Sequence, residues 1–358
     1  MGFRAFLIKR LTIALVMLII VLLLNFIIFM VMPGDPVSLF VNPVRGSPEG
    51  KKILIERLKA QWGLDKPIEQ RILIYVQNML TWNFGNSIMS NNPVSSEIGI
   101  RLWYTLELMG TSTFLAILLG ILFGAFVASR RGGKLDSIIV TSSLITFSLP
   151  VFWIGLMFIL IFSIGLRWFP HAQAYPFSWD LPGRWPVAFT LTSSVSPQWN
   201  GNVVLTLNPS PAMVLFSGYL SHMVLPVATL TLFQYGGYLL LTRATMIEAL
   251  TEDYVVTARA KGVKEREVIL RHALKNASLP LITSAALHFG FMFGGAIITE
   301  GVYSWPGLGR WIFSAIGQND YSVLQAAFYI IAVCVIAANI VADLLYGIID
   351  PRIKYAGA

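Results

Sequence analysis

The sequence predicts an all-α, polytopic membrane protein with about six spanning helices, and three observations carry that expectation. First, 56% of its 358 residues are apolar and only 12% are charged, against roughly 25% charged in a soluble domain; mean hydropathy is +0.69. Second, the apolar residues gather in runs of about 20, the length that crosses a bilayer. Third, basic residues concentrate in those connecting segments that alternating topology places on one side. The net charge of +8 is therefore read as a topology signal beside membrane lipid, and not as an affinity for nucleic acid.

The elements follow in chain order. The first apolar run extends from Leu11 to Met32 behind Arg4, Lys9 and Arg10. It is too long for a signal-peptide core and no small-residue cleavage site follows, so it is expected to stay as a span near 9–32. Pro33 to Arg101 then mixes apolar and charged residues. Ile53, Ile55, Leu58 and Trp62 stand among Lys51, Lys52, Glu56, Arg57 and Lys59, and the mixture recurs from Ile68 to Leu80. Such patterns predict amphipathic helices lying on the membrane or on a neighbouring subunit. A second span is expected near 103–128, where Ala116, Gly120, Gly124 and Ala128 stand four apart and offer one face for close helix packing.

A third span, near 137–166, is longer than a bilayer needs at ~1.5 Å per residue and is divided by Pro150. A break there frees backbone carbonyls that only protein or a wet cavity can cover. Phe147, Pro150 and Trp153 are thus candidate linings of a pathway, with an ordinary proline kink as the competing account. Arg167 to Ser221 is rich in Pro, Ser, Asn and aromatic residues, which favours turns and short strands. The remaining spans are expected near 222–242, 281–300 and 323–348. Gly290 and Gly294 repeat the small-residue spacing in the fifth. His288 and Asp343 are ionisable residues inside the last two and are pathway candidates by default. Polar bonding between helices, for Asp343 with Asn339 and Tyr346 nearby, accounts for them at least as well.

The charge count orients these spans. An N-terminus in the cytoplasm puts residues 1–8, 129–136, 243–280 and the C-terminal tail on that side. Counting Lys9 and Arg10 at the helix edge, those segments hold fifteen of the 26 Lys and Arg but only seven of the 18 acids. The short RRGGK loop, Arg130 to Lys134, is the clearest case.

The most informative of the basic segments is Arg243 to Pro280. Asp253 is placed to cap a short helix running to about Lys261, and Gly262 to end it in the left-handed conformation. A second helix is expected to carry Ile269, Leu270, Ala273, Leu274 and Ala277 on one stripe, with Lys264, Glu267, Arg271 and Lys275 opposite. Two amphipathic helices around a glycine turn make a projection fit to dock on a cytoplasmic partner and to pass force into the membrane through Arg243 and Pro280. A solvated basic loop against lipid headgroups fits the periodicity equally well.

Short motifs tip that balance. MPGDP (Met32 to Pro36), FGNSI (Phe84 to Ile88), PVSSEI (Pro93 to Ile98), RLWYTLEL (Arg101 to Leu108), SLPVFWIGL (Ser148 to Leu156), LRWFP (Leu166 to Pro170) and HMVLPVATL (His222 to Leu230) occur in order. DYVVTARAKG (Asp253 to Gly262), RHALKNASLP (Arg271 to Pro280), TEGVYSWPGLGR (Thr299 to Arg310) and DPRIKY (Asp350 to Tyr355) complete the series. The ordered set resembles the permease subunits of binding-protein-dependent ABC importers, in the oligopeptide, dipeptide and nickel branch. The resemblance implies a type I ABC importer transmembrane domain over 103–349, interrupted by an extracytoplasmic insertion at 167–221 and a cytoplasmic coupling loop at 243–280. Residues 1–102 would then form the N-terminal helix and an extracytoplasmic amphipathic region, and 350–358 a cytoplasmic tail.

The resemblance also implies partners. These are a homologous second permease subunit, two ABC ATPase subunits and an extracytoplasmic substrate-binding protein, in a prokaryotic inner membrane with both termini cytoplasmic. ATP and magnesium would be bound by the ATPases, whose closure would move the loop and open the path outward. The coupling contact carries over onto Asp253, Tyr254, Thr257, Ala258, Arg259, Ala260, Lys261, Gly262 and Glu265. This chain departs from the general importer signature, in which an acidic residue and two alanines precede the glycine. Val256, Thr257 and Ala258 hold those positions here, so the acid that would pair with a basic residue on the ATPase is absent. The insertion at 167–221 is enlarged as well. Peptides are the expected substrate, ahead of oligosaccharides and then nickel.

Chemistry of the chain's own is not expected. There is no G-x-x-x-x-G-K-[S/T] phosphate loop, no HExxH and no G-x-S-x-G. The four histidines (His171, His222, His272, His288) are scattered, and the single Cys334 forms no metal cluster or intrachain disulfide. A self-contained secondary transporter would need paired inverted repeats and several midplane charges, of which only Asp343 and His288 qualify. An intramembrane enzyme would need a nucleophile or a metal constellation.

Overall fold

The computed structural model describes residues 3–31, 50, 53, 56, 66–174, 193–197, 203–207, 211–278, 280–281, 284–285 and 297–349. Helices dominate because the apolar runs have no water to satisfy their backbone in lipid and so bond it internally. Helix α1 spans Phe3–Phe26 and continues through wide turns at Ile27–Val31. After it come α2 (Ile68–Leu80), α3 (Val94–Ser129), α4 (Lys134–Ser148) and α5 (Val151–Phe158), the last continued by π-helical turns at Ile159–Gly165. Strands β1 (Ser193–Pro197) and β2 (Val203–Leu207) form an antiparallel hairpin with Ser193 opposite Leu207. The chain then runs through α6 (Pro211–Leu250), α7 (Asp253–Ala260) and α8 (Glu265–Glu267), which passes into π-helical turns at Val268–Ala273. It closes with α9 (Ile297–Val302), α10 (Leu308–Gly317) and α11 (Tyr321–Ile349).

Among the described residues, four helical stretches are long and apolar enough to cross a membrane: Leu7–Phe29, Val94–Ser129, Ser217–Leu250 and Tyr321–Val341. The pair α4 and α5, bent by 101° at Leu149–Pro150, makes a fifth, broken span. The sixth, expected near 281–300, falls largely outside the described residues, as do Gly290, Gly294, His288 and the tail from 350 onward. Two spans are longer than expected. Helix α3 starts at Val94 and runs straight through the 102/103 boundary, and α6 extends from 211 to 250 with Pro226 inside it. Short strands, as expected between Arg167 and Ser221, are present as the β1–β2 pair.

The most extensive helix contact is α3 against α6, and small residues make it. A Cβ on Gly120 would lie 2.4 Å from Tyr238 Cβ, and one on Gly124 would lie 2.5 Å from Thr242 Cβ. The predicted small-residue face is therefore the surface on which the two backbones meet, as dispersion-driven packing in lipid requires. Polar ties complete the bundle. Asn25 donates to the Gln325 carbonyl (3.0 Å), Thr113 to Gln234 (3.0 Å), and Arg10 pairs with Asp343 (2.9 Å).

One end of the bundle is closed by a large core. Leu22, Phe26 and Phe29 of α1 meet Tyr75 and Met79 of α2, Val94 and Ile98 of α3, and the apolar faces of α10 and α11. The amphipathic segment Ile68–Leu80 thus packs on its own chain. Two buried acids lock the adjoining loops. Asp320 accepts from the Ser87 hydroxyl (2.7 Å) and from the backbone N–H of Ile88 (2.8 Å) and Met89 (3.3 Å). Glu300, fully buried, accepts from the Thr105 hydroxyl (2.7 Å) and the Arg310 N–H (2.8 Å), while Thr105 Oγ1 accepts from the Leu308 N–H (2.8 Å). Gly307 is required beside it, because a Cβ there would sit 2.5 Å from the carboxyl group.

Candidate functional site

At the opposite end, the basic segment folds into a helical hairpin joined to the ends of two spans. Helix α7 begins directly after Glu252, which holds the N-cap position; Asp253 is the first helical residue, and neither side chain makes a capping bond. Its hydroxyl-bearing Thr257 donates to the Asp253 carbonyl (2.9 Å). The helix ends in a Schellman turn. Gly262 has φ +73°, its N–H donates to the Arg259 carbonyl (2.9 Å), and the Val263 N–H donates to the Ala258 carbonyl (3.2 Å). That double closure, with Val263 packing inward, is what a glycine past a helix end provides. The predicted left-handed stop is present.

The hairpin's inner face is apolar. Val255 and Ala258 of α7 pack with Val268, Ala273 and Ala277 against Ala125 and Ala128 of α3 and Met246 and Ala249 of α6. Tyr254, Ile269 and Leu274 are partly buried around this cluster. Ala258 is thus packed on the inner face, and the outer face of α7 is the open one. Leu270 departs from the inner stripe expected of it. It is 48% exposed, because the π-helical turns add a residue to the repeat and carry it off the inner stripe.

Asp253, Thr257, Arg259, Ala260, Lys261, Gly262 and Glu265 are exposed together on the outer face, with Val256 (57% exposed) among them. Arg259 grips Glu265 across the turn, Nη2 to Oε1 at 2.7 Å and Nε to Oε2 at 3.1 Å. Those hydrogen bonds hold the Glu265 carboxyl below its ordinary range and the Arg259 guanidinium above its own. The exposed side of the hairpin therefore carries two apolar side chains, Val256 on α7 and Leu270 on the following turns, together with charged residues.

The broken span lies along α6. Phe147 stacks on Phe233 (centroids 6.3 Å apart, planes at 21°), and a Cβ on Gly236 would lie 2.8 Å from the Ser143 carbonyl oxygen. Pro150 (φ −60°, ψ 133°) starts α5, and its carbonyl accepts from the N–H of Trp153 (2.9 Å) and Ile154 (3.2 Å). Beyond the break, the Tyr303 hydroxyl bonds to Thr229 (2.8 Å) and donates to the Gly155 carbonyl (3.2 Å). Phe147 and Trp153 remain about half exposed. Asp343 stands apart from them, tied to Arg10 on α1.

One contact of the site was not read from the sequence. Asp136, in the first turn of α4, is buried and accepts from Arg243 of α6 at both carboxyl oxygens (2.7 and 2.8 Å). The Gly132 N–H adds a third bond at 3.0 Å. The only signal was an acid directly following a basic loop.

Comparison with known proteins places this arrangement. Residues 120–355 match the family described as the binding-protein-dependent transport system inner membrane component, and residues 3–109 match that family's N-terminal membrane component. The chain belongs to that family. It is 35% identical to the di/tripeptide transport system permease protein DppB of Pseudomonas aeruginosa over 335 residues, 94% of each chain. It is likewise 35% identical to the dipeptide transport system permease protein DppB of Escherichia coli over 98% of both chains. The same identity relates it to the oligopeptide transport system permease protein AppB of Bacillus subtilis, over 98% of this chain and 99% of that one. The permease is thus a multi-pass membrane component and not an enzyme. As part of a binding-protein-dependent system it works with a binding protein, and ATP hydrolysis belongs to separate ATPase subunits.

Proposed function

We propose that this permease forms half of the translocation pathway of an ATP-driven importer of peptides. It pairs with a homologous permease subunit and two ABC ATPase subunits, and receives its substrate from an extracytoplasmic binding protein. Both termini and the 253–278 hairpin face the cytoplasm, where the fifteen basic residues gather. The observation that carries the reading is the hairpin itself. Its inner face is packed on the ends of α3 and α6, while Val256, Leu270 and the Arg259–Glu265 pair are left on the outside. A force on the outer face reaches two spans directly. Apolar Val256 and Leu270 supply the contact in place of the missing acid. Peptides are favoured over oligosaccharides and nickel because the similar permeases named above serve di/tripeptide, dipeptide and oligopeptide transport. Phe147, Pro150 and Trp153 line the path at the break in the third span.

The test is uptake of a labelled dipeptide and a labelled oligopeptide by vesicles holding the assembled transporter, with and without ATP. ATP-dependent peptide uptake is expected. In Gly262→Asp the subunit should still insert and assemble, but ATP hydrolysis should no longer drive uptake, because the left-handed turn is strained and charge is placed on the docking face. Uptake driven by an ion gradient alone, or wild-type coupling in Gly262→Asp, would refute the proposal. Uptake of an oligosaccharide and not of peptides would overturn the substrate class.

A further inference from the structure

We propose that the Asp136–Arg243 ion pair is a rigid strut that makes the broken span α4–α5 move with the coupling hairpin; the inference rests on the coupling reading above. Helix α4 packs along α6 with few buried side chains of its own. Its buried residues are Asp136 and Ser143, both polar, whereas Ile138, Leu144, Ile145 and Phe147 are exposed on it. Deep apolar burial therefore does little to hold it to α6, and its specific contacts gather toward its two ends.

One end is the approach at Gly236, where Ser143 and Phe147 press on α6 near the break, Phe147 stacks on Phe233 and Thr146 donates to the Tyr235 hydroxyl (3.4 Å). The other is the ion pair at the far end of α4. It is bidentate, the geometry that makes Arg–carboxylate pairs directional as well as strong. Asp136 is only 4% exposed, and the Gly132 N–H, on a residue at φ +79°, fixes the same carboxylate from the loop side. A single side chain thus joins the 130–133 loop, the start of α4 and the body of α6.

Arg243 lies about two turns before the end of α6, just ahead of Met246 and Ala249 in the cluster that seats the hairpin. A displacement of the hairpin carries this part of α6 with it. The ion pair passes the displacement to the start of α4. At the far end of α4 the 101° break at Leu149–Pro150 converts it into a change at Phe147, Pro150 and Trp153. A salt bridge that opened during each turnover would not transmit motion in this way, so the pair stays closed throughout the cycle. Asp136 and Arg243 are positioning residues.

Asp136→Asn and Arg243→Gln keep the shapes and remove the charge attraction. In the assembled, reconstituted transporter, each should raise the ATP consumed per peptide imported on the order of tenfold, within the usual range of coupling between sites. The exchange Asp136→Arg with Arg243→Asp should recover coupling. A second experiment replaces the strut covalently. In a Cys334→Ala background, Asp136→Cys with Arg243→Cys should be uncoupled, and a short bifunctional thiol reagent joining the two sulfurs should restore ATP-driven uptake. Wild-type coupling before the reagent is added, or arrest of transport once the sulfurs are joined, would overturn the proposal. Cross-linking of Val256→Cys to an ATPase subunit separates the two readings. If that cross-link forms while the strut variants stay coupled, only the strut fails; if it is missing from the wild-type background, the coupling reading fails first.

Discussion

The closest helix contact in the permease yields a sharp prediction. In Gly120→Ala the new methyl would stand 2.4 Å from Tyr238 Cβ and 3.0 Å from two backbone atoms of α6, Leu239 N and Tyr238 C. Carbon atoms rest at about 3.5–4.0 Å from one another, so roughly 1 Å must be found. No flexible side-chain end is there to yield, since the obstructing atoms are backbone and a Cβ. The helices must part. A gap of ~0.5–1 Å forfeits about a quarter to a half of the dispersion attraction of the atoms concerned, and in lipid that attraction is the main force between helices. The cost belongs at the upper end of the overpacking range, about 3 kcal/mol.

Gly99→Ala is the control in the same helix. Nothing lies within 4 Å of its Cβ position, and alanine is the better helix former by ~1 kcal/mol. Thermal scans of the detergent-solubilised permease, read as the monodisperse fraction on size exclusion, should show Gly120→Ala and Gly124→Ala lost at clearly lower temperature. Gly99→Ala should match or exceed the wild type. Equal stability of Gly120→Ala and the wild type would refute the account of the α3–α6 seam.

Two further predictions concern acids with opposite roles. Glu300→Ala strips the acceptor from the buried Thr105 hydroxyl and Arg310 N–H, at ~1–3 kcal/mol for each unsatisfied donor, so its folded yield should fall severely; Glu300→Gln keeps one acceptor and should fall less, and equal yields would contradict the assigned bonds. Glu265 has its folded pKa lowered by Arg259, so the pair's stabilisation is complete above the ordinary carboxylate range and is lost as pH falls through the lowered value. Both groups are exposed, which limits the effect to below about 1 kcal/mol. Protease sensitivity of the 253–278 hairpin should therefore be flat from pH 8 to about pH 5 and rise only below, with Glu265→Gln showing no such rise.

Much of this was legible in the chain because lipid imposes few solutions. Apolar runs of spanning length had to bond their backbone internally as helices, and the four-residue spacing of Gly120 and Gly124 pointed to a packing face, although small residues also recur by chance in membrane helices. Pro150 marked the break but not its 101° angle; both arms pack against α6, a helix distant in the chain whose course no local pattern reports. Helix α6 runs past the end of its apolar pattern. Thr242, Arg243 and Glu248 break the apolar pattern, yet the helix continues because Met246 and Ala249 bury against the hairpin.

An α-helical repeat would carry Leu270 inward. The buried series Val268, Ala273, Ala277 contains one step of five residues, which only wider turns allow. Ala258 was recognised by its motif, but motif membership does not tell an inward side chain from an outward one. The partners of Asp136, Glu300 and Asp343 lie 107, 195 and 333 residues away along the chain. No local pattern reports contacts at such separations.

Docking of the outer face of the 253–278 hairpin on the ATPase is the contact on which the proposed coupling depends. The most direct measurement is site-specific cross-linking of the assembled transporter in its membrane, with Val256→Cys and Leu270→Cys in a Cys334→Ala background. Asn92→Cys, on an exposed loop at the other end of the bundle, serves as the comparison site. Cross-links to an ATPase subunit from Val256 and Leu270, and none from Asn92, are the predicted result. ATPase cross-links from Asn92 with none from the hairpin would contradict both the orientation and the coupling role.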